Sequence, residues 1–366
     1  MKIALINLAY DNNYGGNLQR YALVKVLQNL GHDVIHINLR FVLPVNFLKL
    51  FPHIVFRILK KILGRKIDIF PEWRAYRSYH SVIESTEKFY NKYIPHTCPV
   101  LCLSDYKRYD KFDVVVVGSD QVWRKKIAMH YLDNFFLKFL PVAPNQKRIT
   151  YGVSLGSNEN ELDEKEISEL GVLYKRFNAV SVREPGALEL FKNYNWTNPA
   201  AQVVLDPTLL LSASDYKKIL KKSGIHNNIF CYILDLNSEK QTFVQSVSKR
   251  LNIDYKLTGI NSFNSLSIEQ WLGCFYDSEF IITDSFHGMI FSIIFHKNFI
   301  VIGNKFRGMG RITDFLSSLQ LENHLITEEA LSSDFKIDDI QWDLVDEIIE
   351  KRKLFSINFL KNNISI

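Results

Sequence analysis

The chain has 366 residues, of which 47% are hydrophobic and 23% are charged, with a formal net charge of +6. This length is enough for two domains of ordinary size, each with its own core. The mild charge, without an Arg/Lys stripe interleaved with aromatic residues, argues against a nucleic-acid-binding protein, and no apolar run reaches the ~18 residues that a membrane-spanning helix needs.

Short β-branched runs alternate with longer helical patterns along the chain, which is typical of parallel α/β layers. The first strand is KIALINL, and a Gly-rich turn leads into the helical pattern NLQRYALVKVLQNLG, which ends at Gly31. Further strands are predicted for DVIHINL, KFDVVVVGS, KRITYGVSL, AVSVRE and QVVLDP. A second series follows with NIFCYILD, IDYKLTG, EFIITDS and NFIVIGN, and residues 341–362 predict a closing amphipathic helix.

These two series predict an α/β protein with two Rossmann-like domains that face a cleft. The N-terminal domain is predicted over residues 1–210 and the C-terminal domain over residues 227–340. SDYKKILKKSGIHN predicts a helical linker at 211–226, and residues 341–366 are expected to pack as a helix across both domains.

The segment 41–66 interrupts the first series with a basic amphipathic pattern. It contains six basic residues and no acid: Lys49, Arg57, Lys60, Lys61, Arg65 and Lys66. Helical spacing places one apolar face opposite Arg57, Lys60 and Lys61; this face consists of Ile54, Val55, Ile58, Leu59 and Ile62. Such a helix can lie in the headgroup layer of a membrane, and the alternative is that its apolar face packs on the protein.

Polar clusters recur directly after the predicted strands. They occupy residues 7–19, 118–120, 183–184, 206, 284–287 and 303–311. Ligands bind at the carboxyl ends of the strands in open parallel sheets, so these clusters together predict a binding cleft built from both domains.

The cluster after the first strand contains Gly15, Gly16, Asn17 and Gln19 at a strand-to-helix turn. Backbone N–H groups at a helix start can hold an anion or a sugar hydroxyl, which makes these residues candidates for substrate binding. The alternative is a tight turn that requires glycine. The pattern is not G-x-G-x-x-G, and the second strand ends in INLRF without an acid for a ribose, so NAD binding is disfavoured.

In VVVVGSDQVWR, Asp120 is a candidate catalytic base or hydroxyl-orienting group. The alternative for Asp120 is an ordinary helix N-cap. Trp123 could stack on the face of a sugar or fill the core.

Arginines follow two other strands. Arg183 can clamp a phosphate or a carboxylate, and the alternative is an ion pair with Glu184 or another acid. Arg307 and Arg311, among the glycines of GNKFRGMGRITDFL, predict an anion site ahead of a short helix.

The turn TDSFHG joins a buried strand to the almost wholly apolar pattern GMIFSIIF. Its polar residues are costly to bury unless they are paired, so their position at a strand end indicates that they face the cleft. His287 can carry a proton near neutral pH and is the candidate catalytic residue, while Asp284, Ser285 and Gly288 are candidates for substrate binding. No G-x-S-x-G elbow accompanies Ser285, which argues against a hydrolase triad.

Six stretches, in order along nearly the whole chain, resemble the polysaccharide pyruvyl transferase family. They are NYGGNLQRYAL, FDVVVVGSDQVW, SVREPGA, VVLDPTLLL, TDSFHGMIFSIIF and GRITDFL. The resemblance implies a fold similar to that of GT-B glycosyltransferases, with the acceptor on the N-terminal side and the donor on the C-terminal side. It also implies transfer of pyruvate from phosphoenolpyruvate to a sugar of a bacterial surface polysaccharide or its lipid-linked precursor, as a cyclic ketal.

The same resemblance matches the family's strand-end histidine to His287 and a family arginine to Arg183. Relatives often have Arg-Leu-His where this chain has Ser285, Phe286 and His287. The resemblance therefore implies that Arg311 or Arg307 supplies the guanidinium, or that the donor is held differently.

Two other functions compete with this interpretation. One is a nucleotide-sugar glycosyltransferase of the same fold, although no acid is obviously placed for a ribose. The other is a non-catalytic carbohydrate-binding protein, which would bind sugar without turnover.

Neither a metal nor a redox cofactor is expected. The four cysteines, at 98, 102, 231 and 274, form no C-x-x-C pair and have no histidine at zinc-finger spacing. MKIALINLAY is predicted to be a buried strand and has no signal-peptide pattern, so the expected location is the cytoplasm, with possible docking at the inner face of the membrane through residues 41–66.

Overall fold

The computed structural model describes residues 1–42, 47–63, 68–128, 131–156, 159–224, 228–258, 266–304, 309–331 and 338–364. Its strands form a four-stranded and a five-stranded parallel sheet together with a two-stranded pair. The predicted α/β class with two Rossmann-like parallel sheets is confirmed.

The helices and strands alternate in two series. The first half contains β1 (Lys2–Ile6), α1 (Tyr14–Asn29), β2 (Asp33–His36), α2 (Phe47–Ile62), α3 (Pro71–Tyr93), β3 (Val114–Val117), α4 (Lys125–Ala128), α5 (Leu132–Phe135), β4 (Lys147–Thr150), α6 (Glu164–Tyr174), β5 (Ser181–Val182), α7 (Gly186–Asn193), β6 (Gln202–Val203) and α8 (Ala213–Lys217). The second half contains β7 (Ile229–Tyr232), α9 (Ser238–Leu251), β8 (Tyr255–Thr258), α10 (Ile268–Asp277), β9 (Phe280–Thr283), α11 (Phe286–Ile294), β10 (Asn298–Ile302), α12 (Met309–Ser318), β11 (Leu325–Ile326) and α13 (Trp342–Ile364).

Strand order places a switch point in each sheet. The first sheet has the order β2-β1-β3-β4 and the second has β11-β10-β9-β7-β8. In the first sheet β2 and β3 lie on opposite sides of β1, and in the second sheet β8 and β9 lie on opposite sides of β7. Ligands bind at such switch points, here between the loops that follow β1 and β3 and between the loops that follow β7 and β9. The central strands VVVV of β3 and FIIT of β9 are wholly buried, as the apolar runs predict for strands covered on both faces.

One apolar core runs through both halves of the chain. It includes Leu18 of α1, Tyr216 after β6, and Trp271 and Phe291 of the second half. The ring of Tyr14 stacks on Trp271 with centroids 5.5 Å apart, which fixes the start of α1 against the second half.

Helix α13 contacts both halves. At its start, Trp342 stacks on His296 of the second half, with ring centroids 4.6 Å apart. Further along, Ser356 Oγ accepts a hydrogen bond of 2.9 Å from the backbone N–H of Leu205, in the first half. The helix therefore ties the end of β6 to the loop after α11.

The connection between the halves is less helical than its sequence predicts. Among the residues of the connection that the structure describes, 211–224, only α8 is helical, capped by the Ser212 hydroxyl. The chain then departs from helical geometry because Lys221 N donates to Glu269 O at 2.8 Å and the Lys221 carbonyl packs against Gly273, where no side chain would fit. This tertiary contact prevails over local helix propensity.

Helix α2 projects its apolar face into solvent. Between Leu50 and Leu63 no side chain is buried, and the apolar face predicted from the sequence is exposed apart from the half-buried Ile54. Two of the basic residues of this segment, Arg65 and Lys66, lie outside the described residues. None of the helices among the described residues has the length and apolar character that crossing a membrane requires.

Candidate active site

A cleft of about 460 Å³ opens where the two switch points face each other. The first half contributes residues 11–16 together with Asp120, Gln121 and Arg124. The second half contributes residues 284–287 and Arg311. Both halves therefore build one cleft, with an imidazole, carboxylates and guanidinium groups on its walls.

His287 is held between the two halves. It lies in the first turn of α11, which is capped by the Ser285 hydroxyl. Its imidazole packs directly on the backbone of α1 at Gly15, where a Cβ would overlap the ring. Its Nε2 lies 3.6 Å from Asp206 Oδ2, and only 12% of the side chain is exposed. The geometry places a nearly enclosed imidazole at the cleft wall.

Asp206 is the buried acid behind His287. Its Oδ2 accepts hydrogen bonds from Gln19 Nε2 at 2.6 Å and from Arg183 Nη1 at 2.7 Å, and its Oδ1 accepts from Thr208 N at 3.0 Å. Burial alone would raise the pKa of Asp206, but His287, Arg183 and Thr208 hold this pKa well below its usual range. Asp206 is therefore a fixed negative charge that can orient the imidazole.

A second buried acid fixes the loop between β9 and α11. The carboxylate of Asp284 accepts from Leu234 N at 2.6 Å, Asp235 N at 3.1 Å and Lys240 Nζ at 3.1 Å. The amide of Asn304 donates to the same carboxylate at 3.3 Å. These bonds engage both carboxylate oxygens and set the position of the turn that carries His287.

Two guanidinium groups, one in the cleft and one behind it, lie over the ring of Phe286. The guanidinium carbons of Arg183 and Arg311 lie 5.1 and 5.3 Å from its ring centroid. Burial, together with the positive charges of Arg183 and Arg124, lowers the pKa of Arg311 to about 10. With the Gln121 amide oxygen turned towards it, Arg311 donates to that oxygen from Nη2 at 2.9 Å and from Nη1 at 3.1 Å. A buried cation beside other cations is a position where a bound anion would be stabilised.

Two carboxylates lie on the first-half wall. Asp120 has a left-handed φ of 85°, a conformation that is uncommon outside glycine, and its Oδ1 accepts from Gln121 N at 2.8 Å. Burial raises the pKa of Asp11, and the charge of Arg20 opposes this rise. Both carboxylates line the cleft and can accept hydrogen bonds from a ligand there.

Asp11 and Arg124 are cleft residues that were not singled out from the sequence. Asp11 lies inside the polar cluster 7–19, in which the glycines and amides are the predicted binding residues. Arg124 follows Trp123 in the cluster of Asp120, and its Nε pairs with Glu161 Oε1 at 3.1 Å. An acid or arginine within a few residues of a strand-end cluster is the signal that could have identified them.

Seven of the predicted site residues line the cleft: Gly15, Gly16, Asp120, Asp284, Ser285, His287 and Arg311. Arg307 lies outside the described residues. Among the described residues, no group of three or more His, Cys, Asp or Glu side chains is arranged to hold a metal ion.

The other predicted residues lie behind the cleft. Asn17 is fully buried and donates to Asp11 O at 3.1 Å, so it supports the loop. Gln19 and Arg183 both bind Asp206, and Arg183 lines a smaller cavity of about 50 Å³ that shares Phe286 and Arg311 with the cleft. Gly288 packs against Thr283, where a Cβ would overlap that side chain.

The structure also decides between the alternatives for two residues. Trp123 fills the core, since its ring stacks on Phe136 with centroids 4.2 Å apart and its Nε1 donates to Phe135 O at 3.1 Å. Asp120 does not cap a helix, because the next helix begins only at Lys125.

A sequence model of the polysaccharide pyruvyl transferase family matches residues 13–305. No curated protein matches the chain in sequence.

Solved structures similar to the chain cover most of its length. A protein of Klebsiella pneumoniae has 12% identity and a TM-score of 0.46, covering 88% of this chain and 92% of its own. A protein of Listeria monocytogenes described as a UDP-N-acetylglucosamine 2-epimerase has 10% identity and a TM-score of 0.49, covering 95% and 94%. A spinosyn rhamnosyltransferase complexed with thymidine diphosphate has 9% identity and a TM-score of 0.39, covering 100% and 96%.

Proposed function

Because the chain belongs to the polysaccharide pyruvyl transferase family, we propose that it transfers pyruvate from phosphoenolpyruvate to a sugar, forming a cyclic ketal. The observation that carries this proposal is the meeting of His287, two carboxylates and buried arginines in one cleft. Phosphoenolpyruvate needs cations for its phosphate and carboxylate, and the reaction needs an acid and a base.

Arg311 is the proposed donor-binding residue, with Arg183 behind it. Relatives often have an arginine where this chain has Ser285, and Arg311 lies over the ring of the next residue, Phe286. Its depressed pKa and its position beside Arg183 favour binding of an anion. The N-terminus of α11, with the backbone N–H groups after Ser285, adds a favourable dipole for the same charge.

His287 is the proposed general acid. In the first step it gives its proton to the methylene carbon of phosphoenolpyruvate, so that C3 becomes a methyl group and C2 an oxocarbenium-like centre. A sugar hydroxyl attacks C2 and loses its proton to Asp120 or Asp11, and this proton is later returned to His287. Asp206, as a fixed anion, stabilises the imidazolium before the transfer.

In the second step the C2–O bond to phosphate breaks as a second hydroxyl of the same sugar attacks C2. Phosphate takes the bonding electron pair, and the proton of the second hydroxyl passes to it. The products are the cyclic ketal and inorganic phosphate, so the overall reaction balances without an oxidant or a reductant. Burial of the guanidinium groups strengthens their interaction with the charge that develops on the leaving phosphate.

The acceptor is proposed to be a saccharide of a bacterial surface polysaccharide, such as a capsule or exopolysaccharide, or its lipid-linked precursor. It would approach the first-half wall, where Asp11 and Asp120 can accept hydrogen bonds from its hydroxyls. Phosphoenolpyruvate is a metabolite of the cytoplasm, so we place the reaction there, at the inner face of the membrane when the acceptor is lipid-linked.

The test is to incubate the full chain with phosphoenolpyruvate and a panel of saccharide and glycolipid acceptors. Release of inorganic phosphate together with a mass increment of one pyruvate ketal on an acceptor would support the proposal. A parallel panel of nucleotide sugars distinguishes a glycosyltransferase, because that activity would release a nucleoside diphosphate. Sugar binding without turnover, unaffected by His287→Ala, would instead indicate a carbohydrate-binding protein.

A further inference from the structure

The net charge of the chain is concentrated in one segment. Residues 41–80 contain eight Lys and Arg and two acids, an excess of six positive charges, which equals the formal net charge of the whole chain. The remaining residues are therefore electrically balanced, with 37 basic and 37 acidic side chains. This segment covers α2 and the first part of α3.

The same segment carries exposed apolar side chains. Leu63 is 80% exposed, Ile62 is 75% exposed and Phe51 is 65% exposed. Seven more apolar side chains of the segment are exposed, and together the ten are called the apolar surface below: Phe41, Val55, Phe56, Ile58, Leu59, Phe70 and Trp73. Scattered single apolar residues are normal on a protein surface, but ten within 33 consecutive residues are a concentration that marks an interaction site.

An ion pair joins the two helices that carry the surface. Arg57 of α2 binds Glu72 of α3 through two hydrogen bonds, at 2.7 and 2.5 Å. The other end of α3 is anchored in the core by Ile83, Phe89 and Tyr90, all of which are buried. The ion pair therefore connects α2 to a helix whose other end is anchored in the core of the first half.

Cations border the apolar side chains of α2. Lys60 Nζ lies 4.1 Å from the centroid of the Phe56 ring, and Lys61 is exposed one residue before Ile62. Long lysine side chains beside inserted apolar groups can place their charge at the depth of lipid phosphates. We propose that this surface docks the protein on an anionic lipid bilayer, with the apolar side chains at the acyl boundary and the cations on the headgroups.

Charge complementarity decides between lipid and a second copy of the chain. Two copies would bring the six excess positive charges of one segment against the same six charges of the other, whereas an anionic bilayer neutralises them. Docking does not depend on the identity of the reaction, so its test uses binding alone.

The experiment is sedimentation of the full chain with vesicles of phosphatidylcholine alone or mixed with phosphatidylglycerol, at low and high salt. We expect pelleting with the anionic vesicles at low salt, and at least a tenfold fall in partitioning at high salt or in Lys60→Glu/Lys61→Glu. Ile62→Ser/Leu63→Ser should weaken binding at both salt concentrations. Lys221→Glu/Lys222→Glu, which makes the same charge change at an exposed pair outside the segment, is the matched control and should bind as the unaltered chain does.

A second readout uses Trp73, which is 40% exposed on this surface. Brominated lipid should quench its fluorescence, and Trp73→Phe should remove the quenching. The proposal is overturned if the chain does not bind vesicles at low salt, or if Lys60→Glu/Lys61→Glu binds them equally well. It is also overturned if the chain binds no vesicles but forms a dimer that Ile62→Ser/Leu63→Ser dissociates. Unchanged urea midpoints in the variants, expected because these side chains are not buried, show that the fold is retained.

Discussion

The contact between Gly15 and His287 gives a test of the site that does not remove any functional group. Gly15→Ala places a Cβ 2.7 Å from Cε1 of His287, whereas ordinary contacts begin at 3.4 Å, and Nδ1 would lie closer still. The imidazole must therefore move by about 1 Å, a displacement that can cost ~10²-fold in rate. The helix itself gains from alanine, by up to about 1 kcal/mol, so we expect a folded protein with reduced turnover.

His287→Ala sets the scale for this effect. Loss of a general acid costs roughly 10²–10⁴-fold in rate, or about 3–5 kcal/mol in the activation free energy. In the double variant Gly15→Ala/His287→Ala the new Cβ has no imidazole to overlap. Relative to His287→Ala alone, the added Gly15→Ala change should therefore cause no further loss of turnover and should raise the free energy of unfolding.

The assay is steady-state phosphate release from phosphoenolpyruvate with a working acceptor, combined with urea unfolding of the four proteins of this cycle. Strong non-additivity in rate is the expected result. Full turnover in Gly15→Ala, or rate losses that multiply in the double variant, would refute the placement of His287 in the reaction.

Three further predictions concern the charged groups around the cleft. Arg311→Ala should raise KM for phosphoenolpyruvate at least tenfold, and Arg311→Lys should restore only part of the lost affinity. Arg183→Ala and Arg183→Lys should have the same two effects. Donor kinetics like those of the unaltered chain would contradict the anion site. Because the folded pKa of Asp206 is held below its unfolded value of about 3.9, its stabilising contribution is complete above that value and is lost as the pH falls below it. Urea unfolding from pH 7 to pH 3 should therefore show that the unaltered chain has a higher free energy of unfolding than Asp206→Asn and that this difference shrinks in acid. A difference in free energy that does not change with pH would count against this account. Lys240→Met removes the buried cation beside Asp284 and should lower the free energy of unfolding by about 3 kcal/mol, measured in urea; a loss below about 1 kcal/mol would show that Asp284 is satisfied without it.

The sequence predicted the location of the site better than the orientation of its side chains. Alternating strands and helices indicate parallel sheets, and parallel sheets bring their strand ends together, so clusters far apart in the chain could be assigned to one cleft. Gly15 and Gly16 at the start of α1 line this cleft, whereas Asn17 and Gln19 of the same helix point behind it. Which face of a helix meets the cleft depends on how the helix packs on its sheet.

Contacts between residues far apart in the chain could not be predicted from the sequence for a related reason. Arg183 and Asp206 are 23 residues apart and follow neighbouring strands, and their ion pair depends on the register between those strands. The orienting role of Asp206 towards His287 depends on the packing of the two halves. A single sequence contains the residue types of such a network but not the distances between them.

The position of α13 has a consequence for how the protein is made. This helix follows the second half in the chain, yet Ser356 binds Leu205, and the Phe359 ring lies 6.4 Å from that of Tyr151, both in the first half. During synthesis the first half leaves the ribosome well before residues 342–364, so its core stays incomplete while the second half is translated. We expect the first half to remain protease-sensitive on a stalled ribosome until α13 emerges. Closing such long loops also predicts slow folding, because their entropy is lost before the contacts form.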